Sequence, residues 1–128
     1  MVHIDFAGPF QGSKWFVLMD TKSHFPIVYD MSTDTTAANV IRKLEEIFDA
    51  VGPCTEIVSD NGPPFSSNEM KQFFRRYGII HRPIALYHLE SNRMAERLVR
   101  SFKEAMKKEL EGRENKKEAL RKFLRAYR

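Results

Sequence analysis

The sequence predicts an α/β fold in which five short strands are combined with four amphipathic helices. The first apolar runs are short and bounded by Gly, Ser and Asp, which is typical of strands. Later apolar residues recur three or four positions apart, which indicates helices. A chain of 128 residues is ordinary for one domain and long enough to bury a single core. We therefore expect one domain over residues 1–128.

The first thirty residues predict three strands. Apolar and polar residues alternate between Val2 and Phe6, as in a strand with one buried face. Two further apolar runs follow at residues 15–19 and 26–29. Their short connections favour antiparallel pairing.

A helix is predicted over residues 37–51. Ser32 and Thr33 can cap its beginning, and Gly52-Pro53 ends it. The apolar positions that follow the three-four spacing of a helix are Ala37, Val40, Ile41, Leu44, Ile47, Phe48 and Val51.

Residues 55–59 predict a fourth strand that ends in a loop. Asn61-Gly62 would suit a hairpin turn, but Pro63 and Pro64 remove two backbone donors that a returning strand would need. A loop at the end of the strand is therefore preferred to a hairpin.

The second half of the chain predicts three helices and one strand. Ser66 and Glu69 form a capping box for a helix that ends at Gly78, and residues 79–82 are short enough for a fifth strand. A long helix follows from about 91 to 110, and the last covers 115–128 with Asn115 as its cap. The residues expected to face inward on these two helices are Met94, Leu98, Phe102, Met106, Leu110, Leu120, Phe123, Leu124 and Tyr127.

Composition excludes several classes of protein. No apolar run approaches the length of a membrane span, and the first residues lack the pattern of a signal peptide. Cys54 is the single cysteine, so an internal disulfide and a Cys-rich zinc site are both excluded. We expect a globular protein of a reducing compartment.

Positive charge is concentrated in the last part of the chain. The net charge of the whole chain is +4, yet residues 93–128 contain thirteen Lys or Arg against six Glu. Surface Lys and Arg that neutralise phosphates give salt-dependent binding to nucleic acid. The simpler alternative, a Lys-rich helix that only faces water, stays open for the segment after Glu111.

Three separated carboxylates suggest a metal site. They are Asp5, Asp60 and Glu96, the last two with thirty-five residues between them. Mg²⁺ is a hard ion that binds one or two carboxylates and keeps waters and phosphate oxygens. Two such ions about 3.5–4 Å apart can stabilise the attacking and leaving oxygens of a phosphoryl transfer. Singly, each acid has a simpler reading, as a polar strand residue, a turn residue and a helix-dipole partner respectively.

The neighbours of each acid carry a more specific resemblance. The sequence resembles the catalytic core of retroviral-type integrases, and most closely that of gypsy-type LTR retrotransposons. The matching blocks are Asp5-Phe6-Ala7-Gly8-Pro9-Phe10, Ile57-Val58-Ser59-Asp60-Asn61-Gly62-Pro63, Tyr87-His88, Ser91-Asn92 with Ala95-Glu96-Arg97, and Leu124-Arg125-Ala126-Tyr127-Arg128.

The resemblance implies a fold, a reaction and a cofactor. The fold would be ribonuclease H-like, with a five-stranded mixed sheet flanked by helices. Asp5, Asp60 and Glu96 would be the catalytic and metal-binding residues and would hold two Mg²⁺ or Mn²⁺ ions. The reaction would be 3′-end processing of the element's DNA followed by strand transfer into target DNA. The location would be the nucleus, after a cytoplasmic stage.

A basic face of the long helix is the expected DNA contact. At about 100° per residue, four basic residues fall within roughly 60° of Glu96. In the family, the basic residues one and two turns after the catalytic Glu contact the DNA end. The DNA-binding candidates are Arg93, Asn92, Arg100, Lys103, Lys107, Tyr87 and His88. The alternative is pairing within the helix, from Glu96 to Arg100 and from Glu104 to Lys108.

The family also forms homodimers, through helices that correspond here to residues 37–51 and 115–128. Several positions depart from its usual pattern, namely Pro64, Leu89-Glu90 and Arg93-Met94. Two other functions therefore stay open. One is a domesticated, weakly active or inactive module that binds nucleic acid or protein. The other, ranked third, is a ribonuclease H-type nuclease. The chain is expected to be a core excised from a longer protein.

Overall fold

The protein has one five-stranded mixed sheet with helices on both faces. A computed structural model describes residues 1–10, 12–83, 89–111 and 115–127, with only the backbone described for residues 89–92 and 109–111. The elements in chain order are β1 (Val2–Phe10), β2 (Ser13–Asp20), β3 (Pro26–Asp30), α1 (Ala37–Val51), β4 (Glu56–Ser59), α2 (Asn68–Tyr77), β5 (Ile80–Pro83), α3 (Leu89–Glu111) and α4 (Lys116–Tyr127).

β1 lies in the middle of the sheet, whose strand order is β3-β2-β1-β4-β5. β1 and β2 pair antiparallel, as do β2 and β3, which confirms the pairing expected from their short connections. β4 runs parallel to β1, and β5 runs parallel to β4. Parallel pairing needs a crossover, and the helices α1 and α2 lie between the paired strands in the chain.

Alternate residues of β1 enter two separate cores. Ile4 packs with α1 and α2, where aromatic rings of Phe48 and Phe73 stack with their centroids 6.0 Å apart. Ala7 packs on the other face with α3 and α4. The side chains of a strand alternate between faces, so His3 and Asp5 lie on the α3 side with Ala7.

The core on the α3 side is built around Phe102. This side chain is fully buried, and its ring contacts Trp15 of β2 and Phe123 of α4 with centroid distances of 5.5 and 5.3 Å. Leu98 and Met106, one turn away on either side, are also fully buried. The predicted inward face of the long helix is therefore confirmed at these positions, while the side chain of Leu110 lies outside the described residues.

Two predicted helix caps are wrong, by three or four residues in α1 and by one residue in α2. α1 is capped by Thr36 rather than by Ser32 or Thr33, and its hydroxyl accepts from the Asn39 N–H at 3.4 Å. The buried Asn39 amide also donates to the Asp34 carbonyl at 2.8 Å, which fixes the loop in this register. In α2 the cap is Ser67, which accepts from the Met70 N–H at 3.2 Å, so Ser66 and Glu69 do not form the expected capping box.

The other differences are small. Val51 follows the apolar spacing of α1 but is 77% exposed, because the helix ends at that residue. At α4 the cap is confirmed, since the Asn115 side chain accepts from the Glu118 N–H at 2.9 Å. In the described part of the chain, no helix combines the length and the apolar character needed to cross a membrane.

The buried position of Phe102 generates a stability prediction. Phe102→Ala is expected to lower the free energy of unfolding by about 3–5 kcal/mol, since it removes a ring that α3, α4 and β2 share. Chemical denaturation monitored by circular dichroism measures the loss. Phe25→Ala is the matched control, because Phe25 is 47% exposed and should cost about 1 kcal/mol. Equal losses for the two variants would contradict the assignment of the core.

Candidate active site

Asp5 lies in the middle of the central strand. Its side chain is half-buried on the α3 side, and its Oδ1 accepts a hydrogen bond from the Phe6 N–H at 2.8 Å. The strand bends soon after it, because Gly8 has a φ of +104° and the pairing of β1 with β2 shifts register between Ala7 and Phe10. A Cβ at Gly8 would come within 3.0 Å of the Ser13 carbonyl oxygen, so a glycine is structurally required at this position, three residues after Asp5.

Asp60 is the first residue after β4. Its side chain is exposed, and its Oδ1 accepts from the Gly62 N–H at 2.8 Å. The hydroxyl of Ser59 donates to the Asp60 carbonyl oxygen at 2.8 Å. A Cβ at Gly62 would lie 3.2 Å from the Asp60 Oδ1, which is closer than most such contacts. The turn predicted at Asn61-Gly62 thus holds the carboxylate through a backbone donor, and no hairpin follows it.

Glu96 lies near the beginning of α3 with its side chain exposed. Ala95 and Leu98 on the same helix are buried against the sheet, and they fix the helix over β1. The charge of Glu96 acts on two groups of β1, since it raises the pKa of Asp5 and opposes the lowering of the pKa of His3. The acid on α3 therefore lies close to β1.

The charges of Asp60 and Glu96 both act on Asp5. Burial raises the pKa of Asp5 above its ordinary value, and the negative charges of Asp60 and Glu96 raise it further. The hydrogen bond from the Phe6 N–H opposes these effects. A raised pKa in the folded state means that the folded chain holds this proton more tightly than the unfolded chain. The stability that Asp5 contributes is present below its ordinary pKa and is lost as the pH rises through the raised value.

The donor chemistry of this group suits a hard divalent cation. All three side chains offer carboxylate oxygens, and a positive ion would relieve their mutual repulsion. Among the described residues, no three His, Cys, Asp or Glu side chains are grouped closely enough to hold a metal ion between them. Mg²⁺ commonly uses only one or two carboxylates and completes its shell with water and substrate phosphates, so a preformed cage is not required. The residues fit the ion by charge and donor type.

A profile of the integrase core domain family matches residues 1–89 of the chain. The chain belongs to the integrase core domain family. An uncharacterized protein of Caenorhabditis elegans is 38% identical over 128 residues, which is 99% of this chain and 10% of that protein. The Pol polyprotein of Feline endogenous virus ECE1 is 33% identical over 100 residues, which is 77% of this chain and 10% of the polyprotein. The chain therefore spans about a tenth of the length of these relatives.

Solved integrase structures share the fold. The catalytic core domain of BIV integrase superimposes with a TM-score of 0.80 at 20% identity, over 96% of this chain and 79% of that chain. The catalytic core domain of HTLV-2 integrase, solved in complex with magnesium, gives a TM-score of 0.72 at 23% identity over 96% and 81% of the two chains. The ribonuclease H-like fold predicted from the resemblance is confirmed.

The basic residues of α3 are available to a ligand in this integrase core. Arg93, Arg100, Lys103 and Lys107 are all exposed, as is Glu96. The ion pairs among described side chains join other residues, such as Arg82 with Glu56 and Lys116 with Asp30. The alternative of pairing between Glu96 and Arg100, or between Glu104 and Lys108, is not supported by any such contact between these described side chains.

Three predicted DNA-binding residues are not placed by the structure. Tyr87 and His88 lie outside the described residues, and of Asn92 only the backbone is described. Their proposed contacts therefore stay predictions from the resemblance.

Two histidines, His3 on β1 and His81 on β5, lie on strands near the acids. His3 is 4% exposed, and within the described structure its Nδ1 has no hydrogen-bond partner. Burial lowers the pKa of His3. The His81 Nε2 lies 2.6 Å from the Ser59 hydroxyl beside Asp60. In a sequence, a single His on a strand looks like an ordinary core residue. That His3 and His81 lie near the acids becomes visible only from the pairing of β1, β4 and β5.

The charge coupling within the group generates a pH prediction. Asp60→Asn is expected to lower the pKa of Asp5 toward its ordinary value, because one of the two like charges that raise it is removed. Carboxyl ¹³C NMR titration in metal-free buffer measures the change. Asp49→Asn, at an exposed position in α1, is the control and should leave the Asp5 titration as in the unmodified protein. An Asp5 pKa that stays constant or rises in Asp60→Asn would show that the two acids are not coupled.

Proposed function

We propose that this integrase core catalyses divalent-metal-dependent transesterification of DNA phosphodiesters, as 3′-end processing of element ends followed by strand transfer into target DNA. The observation that carries the proposal is the placement of the three acids: Asp5 lies on the α3 side of β1, Asp60 follows the adjacent parallel strand β4, and Glu96 lies on the helix that covers this side of β1. Family membership supports the reaction class, and the magnesium complex of the HTLV-2 core supports the choice of ion.

The acids would have distinct roles in holding two Mg²⁺ or Mn²⁺ ions. Asp5 and Asp60 would each bind metal, and Glu96 would hold the second ion. When bound, such ions stabilise charge on the attacking and leaving oxygens of a phosphoryl transfer. The protein residues would supply positioning and charge, and no covalent protein intermediate is needed.

The exposed basic residues of α3 would hold the DNA backbone beside the acids. Arg100 and Lys103 lie one and two turns after Glu96, and Arg93 and Lys107 extend the same face. Contacts of this kind fix the register of the DNA and carry no base sequence information. Asn92, Tyr87 and His88 would add contacts from the segment that precedes and begins α3.

A homodimer and a nuclear location complete the proposal. The HTLV-2 core was solved in a dimeric form, and pairing through the helices at 37–51 and 115–128 would be the corresponding arrangement here. Integration into chromosomal DNA requires access to the nucleus. This chain spans about a tenth of the length of the relatives. The activity and the partners of the whole protein are therefore part of the proposal.

Loss of one acid tests the chemistry. Glu96→Gln is expected to reduce Mg²⁺- or Mn²⁺-dependent joining of labelled DNA by at least about 10²-fold, since it removes a carboxylate that would hold one of the metal ions beside the reacting phosphate. The assay is the disintegration reaction, which joins strands of a branched DNA substrate. Glu104→Gln on the exposed side of the same helix is the matched control and should retain joining.

Three outcomes separate the alternatives. Unchanged joining by Glu96→Gln would refute the catalytic assignment. An unmodified core that binds DNA without joining it would favour the domesticated module. Hydrolysis of RNA–DNA hybrids without strand transfer would favour a ribonuclease H-type nuclease.

Salt dependence tests the DNA face separately from catalysis. Arg100→Ala combined with Lys103→Ala is expected to reduce the slope of log affinity against log salt by about two, because each phosphate contact contributes about 0.9 for duplex DNA. Fluorescence anisotropy with a labelled duplex measures the slope. Lys71→Ala combined with Arg75→Ala, exposed on α2, is the control and should leave it unchanged. An equal decrease for both pairs would indicate only a general effect of net charge.

A further inference from the structure

The hydroxyl of Ser59 connects the Asp60 backbone to a histidine on the neighbouring strand. Ser59 is fully buried at the end of β4, and its hydroxyl donates to the Asp60 carbonyl oxygen at 2.8 Å. The His81 Nε2 lies 2.6 Å from the same hydroxyl oxygen. A hydroxyl has one proton to give, so with that proton directed at Asp60 the remaining contact needs an N–H on His81 Nε2. The chain of donors then runs from His81 to Ser59 to Asp60.

His81 is itself held in place by two elements. It lies on β5 in register with Ile57, two residues before Ser59 on β4, so the ring and the hydroxyl share one face of the sheet. On that face the ring packs against Phe74 of α2 with a centroid distance of 5.0 Å. The half-buried imidazole is held by β5 and α2, and its contact with the Ser59 hydroxyl fixes the end of β4 relative to these two elements.

Asp60 is thus fixed on two sides. The Ser59 hydroxyl holds its backbone carbonyl, and the Gly62 N–H holds its carboxylate. The side chain is otherwise exposed at a strand end, where a loop could adopt several arrangements. A carboxylate that must share an ion with groups from other elements needs a defined position, since small displacements weaken such sites strongly.

We infer that Ser59 and His81 are positioning residues for Asp60, and that together they hold its carboxylate in the place from which it faces Asp5 and Glu96. Neither residue touches DNA or an ion in this assignment. The role of the Asp60 carboxylate as a metal ligand rests on the proposed function. Its positioning by Ser59 and His81 does not rest on that function.

Local amide exchange tests the positioning in metal-free protein. Ser59→Ala and His81→Ala are each expected to speed exchange of the Gly62 amide by about fivefold, the effect of losing one ordinary hydrogen bond. His81→Gln keeps an N–H near the position of Nε2 and should stay close to the unmodified protein. NMR measures the exchange, and the Phe102 amide of α3 serves as the control for an intact fold. Unchanged Gly62 exchange in both alanine variants would overturn the inference.

The double variant tests whether the two residues act as one unit. If the His81 contact works through the Ser59 hydroxyl, Ser59→Ala with His81→Ala should exchange at Gly62 no faster than Ser59→Ala alone. Independent, multiplying effects of the two changes would overturn the relay.

Binding of Mn²⁺ without DNA links the positioning to the proposed function. Electron paramagnetic resonance of free Mn²⁺ measures it, and the alanine variants should bind about tenfold more weakly than the unmodified protein, with His81→Gln restoring the affinity. If Gly62 exchange accelerates as expected while the unmodified protein shows no Asp60-dependent Mn²⁺ binding, the positioning stands and the proposed metal chemistry fails. If Mn²⁺ binds but the variants match the unmodified protein in both measurements, the inference fails and the proposed function stands.

Discussion

The central position of β1 is the constraint on which the rest of the structure depends. This strand pairs with β2 on one side and with β4 on the other, and its alternate side chains enter two cores. Because Ile4 must face α1 and α2, the next residue along the strand must face α3. The alternation that buries the apolar residues therefore also determines where Asp5 points, and the parallel pairing with β4 brings the end of that strand to the same region.

The position of Asp5 in this sheet lowers the stability of the folded chain when its carboxyl is ionised. Burial and two negative charges raise the pKa of Asp5, so the folded surroundings disfavour the ionised form of this carboxyl. The cores on both faces offset this cost, with Leu44, Phe73, Phe102 and Met106 almost fully buried. A perturbed carboxyl in a group of like charges is a frequent property of functional sites, because a bound cation removes the repulsion.

Local patterns in the sequence predicted most of the elements but few of their contacts. The helical spacing of Leu98, Phe102 and Met106 placed α3 and its buried face correctly, since three-residue and four-residue spacing is a strong local pattern. The cap of α1 was misplaced because Ser32, Thr33, Asp34 and Thr36 can all cap a helix. The choice among them depends on the buried Asn39 amide, which local sequence does not identify as a contact.

The candidate site was predictable only in part for a similar reason. The pattern of residues predicts that Asp5 lies within one strand and Asp60 at the end of another. Their proximity depends on β4 pairing in parallel with β1, and only the resemblance to integrases implies that pairing. The positions of His3 and His81 could not be inferred, because an isolated histidine has no pattern of its own. The residues around each histidine are determined by the pairing of the strands and by the helices that cover the sheet.

The most direct test of the shared metal site is a crystal structure of the protein grown with Mn²⁺ and measured at a wavelength where manganese scatters anomalously. A metal site shared by the two acids predicts an anomalous peak within coordination distance of carboxylate oxygens of both Asp5 and Asp60. A saturating concentration of Mn²⁺ that gives no peak between these two side chains would contradict the shared metal site.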